Sequence, residues 1–112
     1  MSNTMVTLVL FDIGDTRLRT RVERICRDAG MDRRQFSAFA GFLAEDRRER
    51  LCERLNEIVA AHAETEDAEK RKQALVVDVF VLCAADAAKA IRINREGLRV
   101  PELPSPRGVV IV

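Results

Sequence analysis

The chain has 112 residues and a formal net charge of +1, with 47% hydrophobic and 33% charged residues. That length suits one domain with its own core and is too short for two, and this balance of apolar and charged residues excludes a largely disordered chain. No apolar run approaches the roughly 20 residues that span a bilayer, and the start, MSNTMVTLVL, lacks the basic segment of a secretory signal, so a cytoplasmic protein is expected.

Val6 to Phe11 is unbroken in Val, Thr, Leu and Phe, the pattern of a short buried strand. Alternation sends Val6, Leu8 and Leu10 to one face and Val9 and Phe11 to the other, so this strand needs cover on both sides. Asp15 or Thr16 can cap a helix in which Leu18, Val22, Ile25 and Ala29 recur at helical spacing until Gly30 stops it. Arg17, Arg21 and Arg24 share the outward face of that helix, and Arg19 falls on the opposite flank near Cys26. MDRRQFSAFAGFL, Met31 to Leu43, has strand character; burying both Phe36 and Phe39 on one side would need a bulge or bend between them. Glu45 to Ala61 reads as a second helix that turns Leu51, Leu55, Ile58 and Val59 inward.

His62 to Gln73 is a charged connector. Ala74 to Ala84 is another strand expected to be buried on both sides, interrupted only by Asp78, and Asp86 to Ile93 suits a short helix. Gly97 to Gly108 holds all three prolines and reads as an irregular arm before a terminal strand, VVIV, at Val109 to Val112. Residues 1–96 are therefore expected to form the domain, and 97–112 a C-terminal arm and strand associated with a dimer.

The order β-α-β-α-β, followed by a small helix and a terminal strand, fits an α+β sandwich of the ferredoxin-like type, with two helices on one face of a mainly antiparallel sheet. Two helices cover one face only, whereas the first and last long strands are apolar on both. A homodimer packed sheet to sheet would cover the second face.

Charge is unevenly spread. Arg17 to Arg34 carries seven arginines against Glu23, Asp28 and Asp32, whereas Glu45 to Lys72 carries nine acids against seven bases. Sixteen of the nineteen cations are Arg, whose planar fork suits phosphate; a solvated helix face is the alternative explanation of the run. The three cysteines, Cys26, Cys52 and Cys83, are odd in number, widely spaced and read as buried thiols.

Asp12 shares the parity of Val6, Leu8 and Leu10 at the carboxyl end of the first strand. A carboxylate placed there is costly unless it meets a cation, a metal or water. If two sheets face each other across a two-fold axis, Asp12 of each copy could approach its mate, and a divalent ion such as Mg²⁺ would relieve their repulsion. Such an ion could support attack on a phosphodiester held by the flanking arginines. The alternative is that Asp12 and Asp15 only cap the first helix and open a turn with Gly14. His62, the sole histidine, is expected at the surface, Ser37 has no neighbouring base, and Gly14 alone is no phosphate loop. The five Phe residues read as core, with Phe39 the one that carries a functional alternative.

LVLFDIGDTRLRTRV followed by GMDRRQFSAFAGFL resembles the small CRISPR-associated adaptation protein family, Cas two, from about Met5 to Cys83. Its pattern is a strand ending in aromatic-Asp-Ile, a nearby second Asp, an R-x-R-V helix start and D-R-x-Q-x-S-x-F-x-G-x-L. Here these are Phe11-Asp12-Ile13, Asp15, Arg19 to Val22, and Asp32-Arg33 with Gln35, Ser37, Phe39, Gly41 and Leu43.

The resemblance implies a ferredoxin-like homodimer in which Asp12 of each protomer holds Mg²⁺ (or Mn²⁺) and serves hydrolysis of RNA or DNA. It makes Arg19, Arg21, Arg33 and Phe39 candidates for substrate contact or for shaping the cleft, and Arg17 joins them as a nucleic-acid contact. It further implies partnership with the CRISPR integrase, Cas one, on duplex DNA during spacer acquisition. Phe11 stands where the family often has Tyr, and Ala40, Arg34 and the tail from Gly97 also depart from the pattern. A noncatalytic DNA-binding scaffold of the integrase and a related ferredoxin-like toxin ribonuclease remain the alternatives to the endonuclease.

Overall fold

The computed structural model describes residues 5–99. Its elements run β1 (Met5–Ile13), α1 (Thr16–Asp28), β2 (Asp32–Gln35), β3 (Ala38–Leu43), α2 (Glu45–Ala63), α3 (Ala68–Arg71), β4 (Leu75–Leu82), α4 (Ala84–Ala87), β5 (Arg92–Asn94) and β6 (Gly97–Arg99). The first four strands make one antiparallel sheet in the order β2-β3-β1-β4, and β5 and β6 form a separate hairpin. This is the expected ferredoxin-like α+β architecture.

Local chemistry explains why α1 begins and ends where it does. Asp15 is its cap: Oδ1 accepts from the Leu18 N–H at 2.8 Å, satisfying a donor the helix itself cannot pair. At the other end Gly30 has φ +92°, its N–H donates to the Arg27 carbonyl, and the Met31 N–H donates to that of Cys26. The two bonds form a Schellman closure that places buried Met31 beside buried Cys26. Met31 also packs closely on β3, where a Cβ on Gly41 would come within 2.8 Å of its Cγ.

One face of the sheet carries the core. Val9, Phe11 and Ile13 of β1 pack with Phe39 and Leu43 of β3 against Leu18, Val22 and Ile25 of α1 and Leu51 and Leu55 of α2. The rings of Phe11 and Phe39 stack with centroids 6.2 Å apart. Asp12, Leu10 and Leu8 pair in register with Val76, Asp78 and Phe80 of β4, so all six lie on the opposite face. There Leu10, Val76 and Phe80 are 40–51% exposed, because no helix among the described residues lies over them. Both strands were expected to be buried on both faces; within one chain β4 is half-buried on its core face and exposed on the other, and β1 gains cover on its second face only toward its start, at Val6 and half-buried Leu8. Leu8, Leu10, Ala38, Ile91 and Ile93 line an open groove of about 360 Å³ on this side.

Several expectations are corrected. Met31 to Leu43 is a hairpin rather than one strand: the chain reverses at Phe36 and Ser37, and the ladder slips between Arg33 and Gln35. The irregularity therefore falls at Arg34, before the turn, and Phe36 is left in solvent instead of joining Phe39. The charged connector contains the end of α2 and the one-turn α3, capped by Asp67. The short helix expected over Asp86 to Ile93 is a single turn, Ala84–Ala87, because Arg92–Asn94 is instead the strand β5, in which Ile93 pairs with Leu98. That hairpin runs from Arg92 to Arg99; the prolines and VVIV of the expected arm and strand lie outside the described residues. Cys26 is buried, but Cys83 is exposed, its Sγ accepting from the Asp86 N–H at the start of α4.

Candidate functional site

Asp12 is next to last in β1, exposed, on the sheet face that the helices leave open. The strand continues past it, so Asp12 does not cap α1; that role belongs to Asp15 alone. The Leu18 N–H holds the Asp15 carboxyl below its ordinary range, with His62 and Lys70 adding to the effect against a smaller opposing push from burial of the group. A second acid shares the face of Asp12. Asp78 pairs with Leu10, one step along the ladder from the Asp12 and Val76 pair, which makes the two carboxylates diagonal neighbours. In the sequence Asp78 is an interruption of an apolar run; only the register of β4 against β1 reveals the alignment.

The two residues flanking Asp12 are each tied to a different part of the chain. The Phe11 N–H donates to the Ser37 carbonyl at 3.0 Å, bringing the turn between β2 and β3 to the end of β1. The Ile13 carbonyl accepts from the Arg19 guanidinium at 3.1 Å, and a second Arg19 nitrogen donates to Thr16 Oγ1 at 3.3 Å. Arg19 thus turns back toward the end of β1 rather than outward. Arg33 donates to the Phe36 carbonyl at 3.0 Å and forms an ion pair with Glu23. The guanidiniums of Arg19 and Arg33 lie 5.5 and 5.9 Å from the centre of the Phe36 ring.

The other sequence candidates are placed apart from this cluster. Arg17 and Arg21 are exposed on α1, where they line an open cavity of about 540 Å³ together with Asp15, His62 and Lys70. His62, half-buried, therefore faces α1. Phe39 is fully buried, stacked on Phe11 and covered by Arg27 and Arg33, whose guanidiniums sit 5.7 and 5.3 Å from its ring centre. Full burial keeps a base from reaching this ring, so shaping the site through Arg33 is the contribution this position leaves it. Phe36, which the sequence reading grouped with the core, is the exposed aromatic; its polar neighbours Gln35 and Ser37 were the available signal.

Among the described residues no group of three or more His, Cys, Asp or Glu side chains could hold a metal ion. What one chain offers is a solvent-facing carboxylate with a second on the same face. That donor set suits Mg²⁺, which binds through one or two carboxylates and keeps waters and phosphate oxygens as its remaining ligands, and does not suit a metal that needs an all-protein cage. Cys26 contributes nothing here, since burial, helped by Glu23, pushes its thiol up to about 12. No helix among the described residues is long and apolar enough to cross a membrane.

Residues 5–74 match the family model described as CRISPR associated protein Cas2. A protein of Desulforudis audaxviator named CRISPR-associated endoribonuclease Cas2 is 40% identical over 55 residues, 49% of this chain and 52% of that protein. The matched stretch therefore spans about half the length of that relative. CRISPR-associated endoribonuclease Cas2 2 of Chloroflexus aurantiacus is 40% identical over 58 residues, 52% of this chain and 68% of that protein. CRISPR-associated endoribonuclease Cas2 1 of Archaeoglobus fulgidus is 30% identical over 108 residues, 96% of this chain and 100% of that protein. The stretch matching the family model contains Asp12, the four candidate arginines, Phe36 and Phe39; Asp78 lies beyond it.

Proposed function

Because the chain belongs to the family of CRISPR associated protein Cas2, we propose that it is a CRISPR-associated endonuclease, acting as a homodimer on phosphodiester bonds with Asp12 as the catalytic carboxylate. The observation that carries this reading is the position of Asp12: an exposed acid on an uncovered apolar sheet face, its two chain neighbours fastened to Ser37 and Arg19. Leu10, Val76 and Phe80 supply that face with apolar surface for a second copy. Two copies packed through this face, as expected from the sequence, would bring Asp12 of both protomers into one cleft.

In hydrolysis a water oxygen bonds to phosphorus, the bond to the leaving sugar oxygen breaks, and the water's protons pass to solvent and to that oxygen. Mg²⁺ or Mn²⁺, held by Asp12 of each protomer, would supply Lewis acidity at the scissile phosphate. Arg19 is the arginine suited to meet that phosphate, since its guanidinium is held at the end of β1 by the carbonyl of Ile13, the residue after Asp12. Arg33, tied to Glu23 and the Phe36 carbonyl, keeps the turn in place. Arg17 and Arg21, exposed on another side of α1, suit contacts with the nucleic-acid backbone away from the scissile phosphate.

The separation of these two sets of arginines supports a second reading. Arg17 and Arg21 can hold duplex DNA as a scaffold for the integrase, Cas one, in spacer acquisition without any use of Asp12. The purified chain is incubated with RNA or DNA in Mg²⁺ or in chelator, beside Asp12→Ala. The endonuclease reading expects cleavage that is lost in both controls. Cleavage surviving both would assign the activity to a contaminant or another site. Absence of cleavage with strong, steeply salt-dependent duplex binding would favour the scaffold.

A further inference from the structure

Phe36 has a place in the structure that no role described so far explains. It is 70% exposed at the turn between β2 and β3, while Phe11 and Phe39 fill the core. An aromatic ring left in water forgoes the favourable burial open to the other two. The ring is nevertheless held firmly. The guanidiniums of Arg19 and Arg33 lie 5.5 and 5.9 Å from its centre, and both are anchored, Arg19 by Ile13 and Thr16, Arg33 by Glu23 and the Phe36 carbonyl. The turn is anchored as well, through the bond from the Phe11 N–H to the Ser37 carbonyl. Arg19 and the turn are thus each bonded to an immediate chain neighbour of Asp12, and Arg33 is bonded to the turn.

We propose that Phe36 is a stacking platform for an unpaired nucleobase, with Arg19 and Arg33 as the cations near the ring that meet that nucleotide's phosphates. The proposal rests on the phosphodiesterase reading above and adds to it the residue that takes the base and presents the strand to Asp12. An aromatic face stacks on any of the bases, so the platform is indifferent to sequence. Bases within a duplex already have both faces covered by their neighbours, so it selects unpaired nucleotides. The two guanidiniums add the positive charge for phosphate that a lone phenyl ring lacks. Single-stranded RNA and single-stranded DNA offer the same chemistry, and the test includes both.

The chain contains neither Trp nor Tyr, so Phe36→Trp introduces its sole indole and makes the platform directly visible. In the whole 112-residue chain, quenching of that fluorescence by a short single-stranded RNA, or by DNA of the same sequence, is the expected result. The same strand carrying abasic sites should leave the emission unchanged. Phe36→Leu should bind the single strand about tenfold more weakly and the matching duplex with unchanged affinity. It should keep the oligomeric mass of the parent in sedimentation.

Equal quenching by the abasic strand, or full single-strand affinity in Phe36→Leu, would overturn the platform while leaving the phosphodiesterase reading intact. A changed oligomeric mass would place the ring in a subunit contact and overturn the proposal. Failure of the unsubstituted protein to bind any strand would overturn the phosphodiesterase reading and the platform together. Retained quenching in Phe36→Trp combined with Asp12→Ala, with cleavage abolished, would support both.

Discussion

Arg19 donates to the carbonyl of Ile13, so the first turn of α1 reaches back to the residue that follows Asp12. Two nitrogens of one planar group are used, one on Ile13 and one on Thr16 Oγ1, and an ammonium has no matching fork. Arg19→Lys should therefore keep the charge but lose the orientation. Single-turnover cleavage is expected to fall by about 10- to 100-fold, a typical cost of misplacing a positioning group, with the melting temperature almost unchanged. Cleavage at the parent rate in Arg19→Lys would show that charge alone suffices.

Phe39 is fully buried on Phe11, so its substitution acts through folding. Phe39→Leu is expected to cost about 1–2 kcal/mol and Phe39→Ala about 3–5 kcal/mol in denaturant unfolding. Any decline in cleavage should track the folded fraction. A well-folded Phe39→Leu protein with greatly weakened strand binding would instead give the ring a direct role.

Phe80 is 49% exposed on the open sheet face, in register with Leu8. Phe80→Glu should leave the monomer folded and abolish the sheet-to-sheet dimer, because the new charge would be trapped between two apolar faces. Sedimentation equilibrium of the parent and the variant reads the difference directly. If the variant sediments with the parent's mass, the subunits meet elsewhere.

Arg17 and Arg21 are exposed and line the same cavity on α1. Replacing either with Ala should lower nucleic-acid affinity uniformly across sequences and reduce the slope of log affinity against log salt by about one for each phosphate no longer neutralised. An unchanged slope in the double variant would remove both from the interface.

Asp15 titrates below its ordinary value of 3.8, chiefly because its carboxylate accepts the Leu18 N–H. The unfolded chain thus binds this proton more readily than the folded one as pH falls. The stabilisation from Asp15 is fully present above pH 3.8 and is lost as pH falls through the folded value. Asp15→Asn keeps a capping oxygen but has no proton to take up, so its thermal midpoint should vary less with pH in this acid window. Identical acid profiles for parent and variant would sink this account.

The sequence by itself determined the elements whose periodicity is local. Unbroken apolar runs rich in Val and Leu marked β1 and β4, helical spacing marked α1 and α2, and the cap at Asp15 and stop at Gly30 set the ends of α1, because these signals lie within a short window of the chain. Side-chain alternation along β1 put Asp12 on the face opposite Phe11. Only tertiary structure decided what depended on partners distant in the chain. Gln35-Phe36-Ser37 carries no Gly, Pro or Asn to announce a turn, so the β2 to β3 hairpin emerges only when both arms pair, and with it the choice that buries Phe39 and exposes Phe36. The alignment of Asp78 with Asp12 needs the β1 to β4 register, and the inward reach of Arg19 needs the carbonyl of Ile13 at the end of a strand. Side-chain period is written along the chain, whereas register and the choice between two similar rings are settled by which long-range contacts bury the most apolar surface.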